Sequence, residues 1–269
     1  RRVSPVPEPP GPRPFTIGAV LALAGRSFAR RALPVLLLSI AGALLANIAV
    51  DAMLRRFAIS LGPIWGRLGL EMTLTLAAIA FLLPAILLLL GACRNEHSAW
   101  RRIGGRILRR AAVFIPVQVA VDAIVMAPLI VAMPMLFPDA GAAAVLAMLV
   151  VYQLPLLAFN YVFMPTLAAE SGGPLSSLAR AKALISGHWL RMLGIAIMME
   201  AMGGVLVFLQ TPLTVAVVAS FGIPHVWLAR SLILAFRLTF VASICTAAYH
   251  RLCLEKEGGS PEETVQVFD

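Results

Sequence analysis

Charge is what this chain has least of. Asp, Glu, Lys and Arg make up 13% of its 269 residues against 60% hydrophobic, where soluble domains carry about 25% and 45–50%. No water-soluble fold hides that much apolar surface, so an ordinary soluble domain is excluded. Lysine is almost absent, Lys182 and Lys256 being the only two, and the net charge of +9 comes almost wholly from arginine. Those arginines cluster between apolar runs and form no basic stripe, which argues against nucleic acid as a partner. Cysteine is scarce as well. Cys93, Cys245 and Cys253 have no paired spacing, so neither a disulfide framework nor a zinc motif is indicated. There is no serine, histidine and aspartate set with nucleophile-elbow spacing, no phosphate-binding glycine loop and no zinc-protease helix. The chain nominates no catalytic residue, no cofactor and no metal.

What it has in abundance is apolar length. Six stretches of about twenty mostly apolar residues, bounded by arginine, glycine or proline, match a hydrocarbon core of ~30 Å at 1.5 Å per residue. Run length and flanking breakers place spans at 33–53, 73–92, 111–137, 142–167, 192–221 and 232–252. The fold class expected is therefore all-α, a polytopic membrane protein with six transmembrane helices. Pro212 in the long fifth run predicts a kink or break, and Pro34, Pro84, Pro116, Pro128, Pro134, Pro155 and Pro165 predict further irregularities. Residues 1–14 hold six prolines and a glycine and read as a disordered tail without the look of a secretory signal. Residues 15–254 form the membrane domain. Residues 255–269 are acidic and polar, with Gly258, Gly259 and Pro261 as helix stops, and read as a solvated tail.

Cations orient such a bundle, because positively charged loops stay on the cytoplasmic side. Six precede the first span, six lie between the second and third, three between the fourth and fifth counting Arg191, and two flank the C-terminal tail, making seventeen on one side. The opposite side holds four, Arg55, Arg56, Arg67 and Arg230, and Arg237 lies inside the last span. Both termini are thus expected in the cytoplasm. Each cytoplasmic stretch before a hairpin also reads as an amphipathic helix lying in the interface. Before the first span, Ile17, Val20, Leu21, Ala24 and Phe28 form a stripe behind Thr16 as N-cap, with Arg26 and Arg30 opposite. Before the third, Trp100, Ile103 and Ile107 follow Ser98, with Arg102, Arg106 and Arg109 turned away. Before the fifth, Leu175, Leu178, Ile185 and Trp189 repeat the pattern, with Ser176, Ser177 and Arg180 opposite. The chain reads as three units of interfacial helix plus transmembrane hairpin. Attraction of these arginines to anionic phospholipid headgroups, worth ~1 kcal/mol per basic residue, and simple topological anchoring both account for them.

Inside the spans the residues of interest are Asp122, Gln153, Glu200 and Arg237, which fall near mid-depth. Ionisable groups there cost ~2.5–3.5 kcal/mol each on insertion scales and usually face the bundle interior. Either they line a polar cavity, with one carboxylate paired to Arg237 and the other binding a cation, a proton or a cationic headgroup, or they form an interhelical layer that fixes packing. Cys93 and His97, and His250 and Cys253, have spacings that share a helical face; they read as interfacial packing.

One segment resembles a known family. Glu170, Ser171, Gly172, Gly173 and Pro174, followed by Leu178, Arg180, Leu184, Gly187, Trp189 and Gly194, is similar to the membrane domain of bacterial glycerophosphoryl diester phosphodiesterases. It is similar also to stand-alone six-span proteins of the YciC-like inner-membrane group. The resemblance extends loosely to residues 15–50 and to Tyr249, His250, Arg251 and Leu252. Ala181 departs from it, since those families usually have serine after the arginine. The resemblance implies no enzyme, because the phosphodiesterase activity belongs to a separate barrel of ~250 residues for which this chain has no room. It implies a non-enzymatic membrane component in phospholipid or envelope homeostasis, in contact with membrane lipids. A small transporter or lipid translocase using the mid-depth layer is the alternative, and an accessory subunit of a larger membrane complex is a third. Homo-oligomer and protein partner both stay open.

Overall fold

The computed structural model describes residues 14–57, 81–94, 100–127, 149–170, 172–221 and 226–257. Among them every regular element is helical. In chain order they are α1 (Ile17–Phe57), α2 (Phe81–Cys93), α3 (Trp100–Ala127), α4 (Leu154–Ala169), α5 (Pro174–Ile185), α6 (Trp189–Phe221) and α7 (Val226–Glu257). Three of these are long and apolar enough to cross a membrane: Ile17–Ile48 in α1, Trp189–Ser220 in α6 and Ala229–Glu257 in α7. Helix α2 is apolar but shorter. Parts of the expected second, third and fourth spans, residues 73–80, 128–137 and 142–148, lie outside the described residues, as do tail residues 1–13 and 258–269.

Local chemistry explains where the helices start and bend. Thr16 caps α1, its Oγ1 accepting the Ala19 N–H at 3.2 Å. Arg31 leaves the helical region (φ −130°, ψ 22°) three residues before Pro34, whose ring crowds the carbonyl one turn back and which has no N–H to offer it. The first half of α1 is thereby set off from its membrane-length second half. Pro155 lies in the first turn of α4, where a missing N–H costs no intrahelical bond, and a π-helical turn, Leu149–Gln153, stands before it. Helix α5 begins at Gly173-Pro174, with Pro174 at the first helical position. It ends in a turn through Gly187, whose φ of +84° suits glycine.

Two interruptions expected from the sequence, a break at Pro212 and a separate helix before the third span, are absent. Helix α6 runs unbroken through Pro212. Helix α3 runs unbroken from Trp100, so the stretch before the third span is not a separate helix. Gly104 and Gly105 weaken a helix by about 1 kcal/mol each but keep their N–H groups, and the ladder continues through them.

Helix α7 is the hub. It packs on α1, α4, α5 and α6, and its directions follow from paired residues. Phe15 meets Glu255, Ser39 meets Thr239 and Asn47 meets Ser231, so α1 runs antiparallel to it. Arg237 lies beside Gly203 and Lys256 beside Ser186, so α6 is antiparallel too. Helix α2 runs antiparallel to α1, with Arg30 at Ala92 and Gly42 against the Phe81 ring. A Cβ at Gly42 would stand 2.6 Å from that ring, so the small residues around Ala41-Gly42-Ala43 permit a close crossing there. Ala142-Ala143-Ala144 lies outside the described residues. The core joins Leu83, Ile86, Leu88 and Leu89 of α2 to Phe114, Leu167, Met192, Ile195, Ile244 and Tyr249. This antiparallel order brings the start of α1, the ends of α2, α4 and α7, helix α5 and the start of α6 to one end of the bundle. Arg26, Arg30, Arg94, Arg180, Lys182, Arg191, Arg251 and Lys256 all belong to those segments; this is the arginine-rich end.

Candidate functional site

At that end the chain turns sharply between α4 and α5. Glu170 follows Ala169 with extended backbone (φ −92°, ψ 147°), and its N–H still reaches the Thr166 carbonyl at 3.0 Å. Gly173 is extended as well and Pro174 restarts the helix, so Arg180 comes back alongside Glu170. Arg180 Nε donates to Glu170 Oε1 at 3.2 Å, and the Tyr249 hydroxyl donates to the same oxygen at 3.0 Å. Arg180 Nη2 also pairs with Glu257 in the last turn of α7. One guanidinium and two carboxylates thus tie α4, α5 and α7 together.

A second knot fastens the start of α1. The Phe15 N–H donates to Glu255 Oε2 at 2.7 Å, and Arg191 Nη1 donates to the Phe15 carbonyl at 2.6 Å. His188 Nε2 lies 3.7 Å from the same Glu255 oxygen, and its ring meets the Phe15 ring at 5.4 Å between centroids. Lys256 Nζ donates to the Ser186 carbonyl at 2.6 Å. Glu255 and Glu257, expected in a solvated tail, instead sit in the final turn of α7 and bind neighbouring elements. Acidic composition signalled a tail, but the helix stops come only after Glu257.

Of the apolar stripe expected on α5, Ile185 alone turns into the bundle. Ser177, Ala181, Leu184 and Ile185 are buried against the bundle, while Leu175 is 81% exposed and Leu178 and Trp189 also face outward. Small residues allow α5 to lie close to its neighbours. In a membrane, leucines gain as much from lipid tails as from protein. Ala181 is fully buried in this contact. Gly194 permits a similar approach, with Ile17 Cδ1 3.1 Å from where its Cβ would be.

The expected headgroup arginines are distributed unevenly. Arg26 and Arg109 are exposed, Arg26 also donating to the Ala22 carbonyl at 3.2 Å. Arg30 is exposed and donates to the Ala92 carbonyl at 3.3 Å. Arg180 is engaged by two carboxylates. The side chains of Arg102 and Arg106 lie outside the described residues.

Gln118 donates to Asp122 Oδ1 at 3.3 Å within α3, and the Tyr161 hydroxyl of α4 donates to Glu200 Oε1 of α6 at 3.3 Å. Gln153 is buried in the π-helical turn. Arg237 is exposed beside Gly203 and acts electrostatically on both Asp122 and Tyr161. Among the described residues it forms no ion pair with Asp122 or Glu200. Gln118 and Tyr161 are members of this region that sequence reading missed; each is one helical turn or one neighbouring helix from a carboxylate it had already singled out.

Among the described residues no three of His, Cys, Asp and Glu converge as a metal would require; His97 lies outside them. The site offers cations, imidazoles and ordered carboxylates. No family model, curated protein or solved structure matches this chain.

Proposed function

We propose that the chain is a non-enzymatic, six-span component of a bacterial inner membrane, serving phospholipid or envelope homeostasis. Its arginine-rich end faces the cytoplasm and rests against anionic phospholipid headgroups. The observation that carries this reading is the mixed character of that end. Leu175, Leu178, Trp189 and Leu190 are exposed beside exposed Lys182 and Arg191, and such side chains together suit the boundary between acyl tails and headgroups. The offset first half of α1 adds to it, with Val20 and Ala24 turned inward and Leu21, Arg26 and Arg30 outward. Arginine distribution supports the orientation, and the Glu170 to Trp189 segment supports the lipid-related role.

The test uses a Trp189-only version of the full chain in vesicles with bromine-labelled acyl chains. Trp189 fluorescence is expected to be quenched most by labels near the headgroups, and more in phosphatidylglycerol than in phosphatidylcholine. Equal quenching in both lipids, or none at shallow depth, overturns the reading. A second reading, translocation through the mid-depth layer, is favoured by Arg237 standing without an ion pair among the described residues. It requires Arg237→Gln to abolish transport of a headgroup or ion while leaving the fold intact.

A further inference from the structure

The first half of α1 is joined to the rest of the molecule by a break at one end and polar bonds at the other. Non-helical backbone at Arg31 separates residues 17–30, a rod of about 20 Å, from the membrane-length half. At the free end, Glu255 Oε2 accepts the Phe15 N–H at 2.7 Å, and Arg191 Nη1 donates to the Phe15 carbonyl at 2.6 Å. Nearer the break, Arg30 donates to the Ala92 carbonyl at 3.3 Å, and Ser27 is within hydrogen-bonding reach of Cys93. The inward face between them is apolar. Phe15, Val20 and Ala24 are buried, and Ile17 Cδ1 lies 3.1 Å from where a Cβ of Gly194 would be. The outward face carries Leu21, Arg26 and Arg30. Residues 17–31 contain three arginines and no acidic residue.

Such a rod has two stable places. Apolar side chains gain as much from acyl chains as from neighbouring helices, so moving Phe15, Val20 and Ala24 from the bundle into the lipid interface costs little. There the Phe15 N–H and carbonyl trade protein partners for water, and only a fraction of each bond's strength is lost. A basic amphipathic helix lies stably in that interface and is drawn to it by anionic headgroups. The docked position is therefore specified mainly by the polar groups at its tip, and membrane charge opposes them. We propose that residues 15–30 form a hinged strap, clasped to the bundle by Glu255 and Arg191 and released onto the bilayer surface where that surface is anionic. Release uncovers Cys93 at the end of α2 and Gly194 near the start of α6. The strap deepens the lipid reading above and rests on it, because it needs the arginine-rich end to lie at the headgroups.

The experiment uses the full chain with Ile17→Cys and Gly194→Cys, in bilayer nanodiscs of dioleoylphosphatidylcholine or dioleoylphosphatidylglycerol. These positions meet when the strap is clasped, so the rate at which oxidation joins them, read by mass spectrometry of the linked peptides, reports the clasped fraction. In parallel, N-ethylmaleimide is added to the unmodified chain, in which Cys93 is half-buried whereas Cys245 and Cys253 are buried. Phosphatidylglycerol is expected to slow cross-linking about fivefold for each arginine that reaches the surface and to quicken Cys93 alkylation. Glu255→Ala and Arg191→Ala are expected to slow cross-linking already in phosphatidylcholine. Arg26→Gln is expected to recover part of the rate in phosphatidylglycerol. Equal cross-linking in the two lipids, equal Cys93 alkylation in the two lipids, or clasp variants that cross-link like their parent each overturns the strap. The alkylation arm needs no substitution, so it decides the matter even where a variant does not fold. Trp189 quenching separates the strap from the surface reading. Shallow, charge-dependent quenching with lipid-independent cross-linking discards the strap alone. Lipid-dependent cross-linking without shallow quenching keeps the strap and discards the surface role of α5.

Discussion

Helices α6 and α7 are neighbours in sequence, similar in length and both apolar enough to cross a membrane, yet 61% of the most apolar window of α7 is buried in protein and only 29% of that of α6. The difference lies in side-chain size and polarity. The inward positions of α7 include Ser231, Thr239, Ser243, Thr246 and His250 among Ala235, Ala242, Ala247 and Ala248. Helix α6 exposes Ile197, Val205, Phe208, Leu209 and Val215. Lipid tails are as apolar as leucine, so hydrophobicity does not pull a membrane helix into the centre of a bundle. Small residues and interhelical hydrogen bonds do.

That contrast can be broken experimentally. The largest effect is expected for Ala242→Leu, which forces a bulky side chain into a fully buried position and should cost about 1–3 kcal/mol. Its partner, Phe208→Leu on the outward face of α6, should stay within about 0.5 kcal/mol. Thermal unfolding of micelle-solubilised protein measures both, and equal shifts would abolish the distinction between hub and periphery. Next comes Glu170→Gln, which removes the charge shared by Arg180 and the Tyr249 hydroxyl. The Glu170–Arg180 pair is partly exposed, so a loss of about 1–2 kcal/mol is expected at low salt, shrinking in 1 M salt. A salt-independent loss would mean that packing, not charge, holds α5 in place. The smallest expected effect within α7 sharpens the account of that helix: Thr239→Val removes a 2.8 Å hydroxyl bond to Ser39 and should cost about 0.6 kcal/mol in unfolding measurements. A cost above that of Ala242→Leu would make hydrogen bonding the dominant force at the hub.

Much of the local architecture is legible in the residues. Thr16 as a cap, the break before Pro34, and the restart at Gly173-Pro174 follow from backbone chemistry confined to a few neighbours. Clustering of cations at one end follows from their positions between apolar runs. The face that α5 buries was not legible, because Leu175 and Leu178 satisfy lipid as well as protein. Nor were the partners of Glu170, Glu255 and Glu257. Phe15 and Glu255 are 240 positions apart and Tyr249 and Glu170 are 79 apart, and no local pattern announces such pairings. Arg237 illustrates the same limit. Its charge inside a span marks it as unusual, but only the rotation of α7 determines that it lies exposed beside Gly203.

The amino-acid order by itself determined that this chain is helical, that three of its helices reach membrane length, and where α1 and α5 begin and α1 bends. Those outcomes depend on hydrogen bonds within one turn and on transfer of single segments out of water. Tertiary structure alone decided that α7 sits at the centre, that Arg180 joins two distant carboxylates, and that Glu255 and Arg191 fasten the start of α1. Contacts between apolar helices are chosen by shape and by a few polar pairs, and both exist only once the helices are side by side.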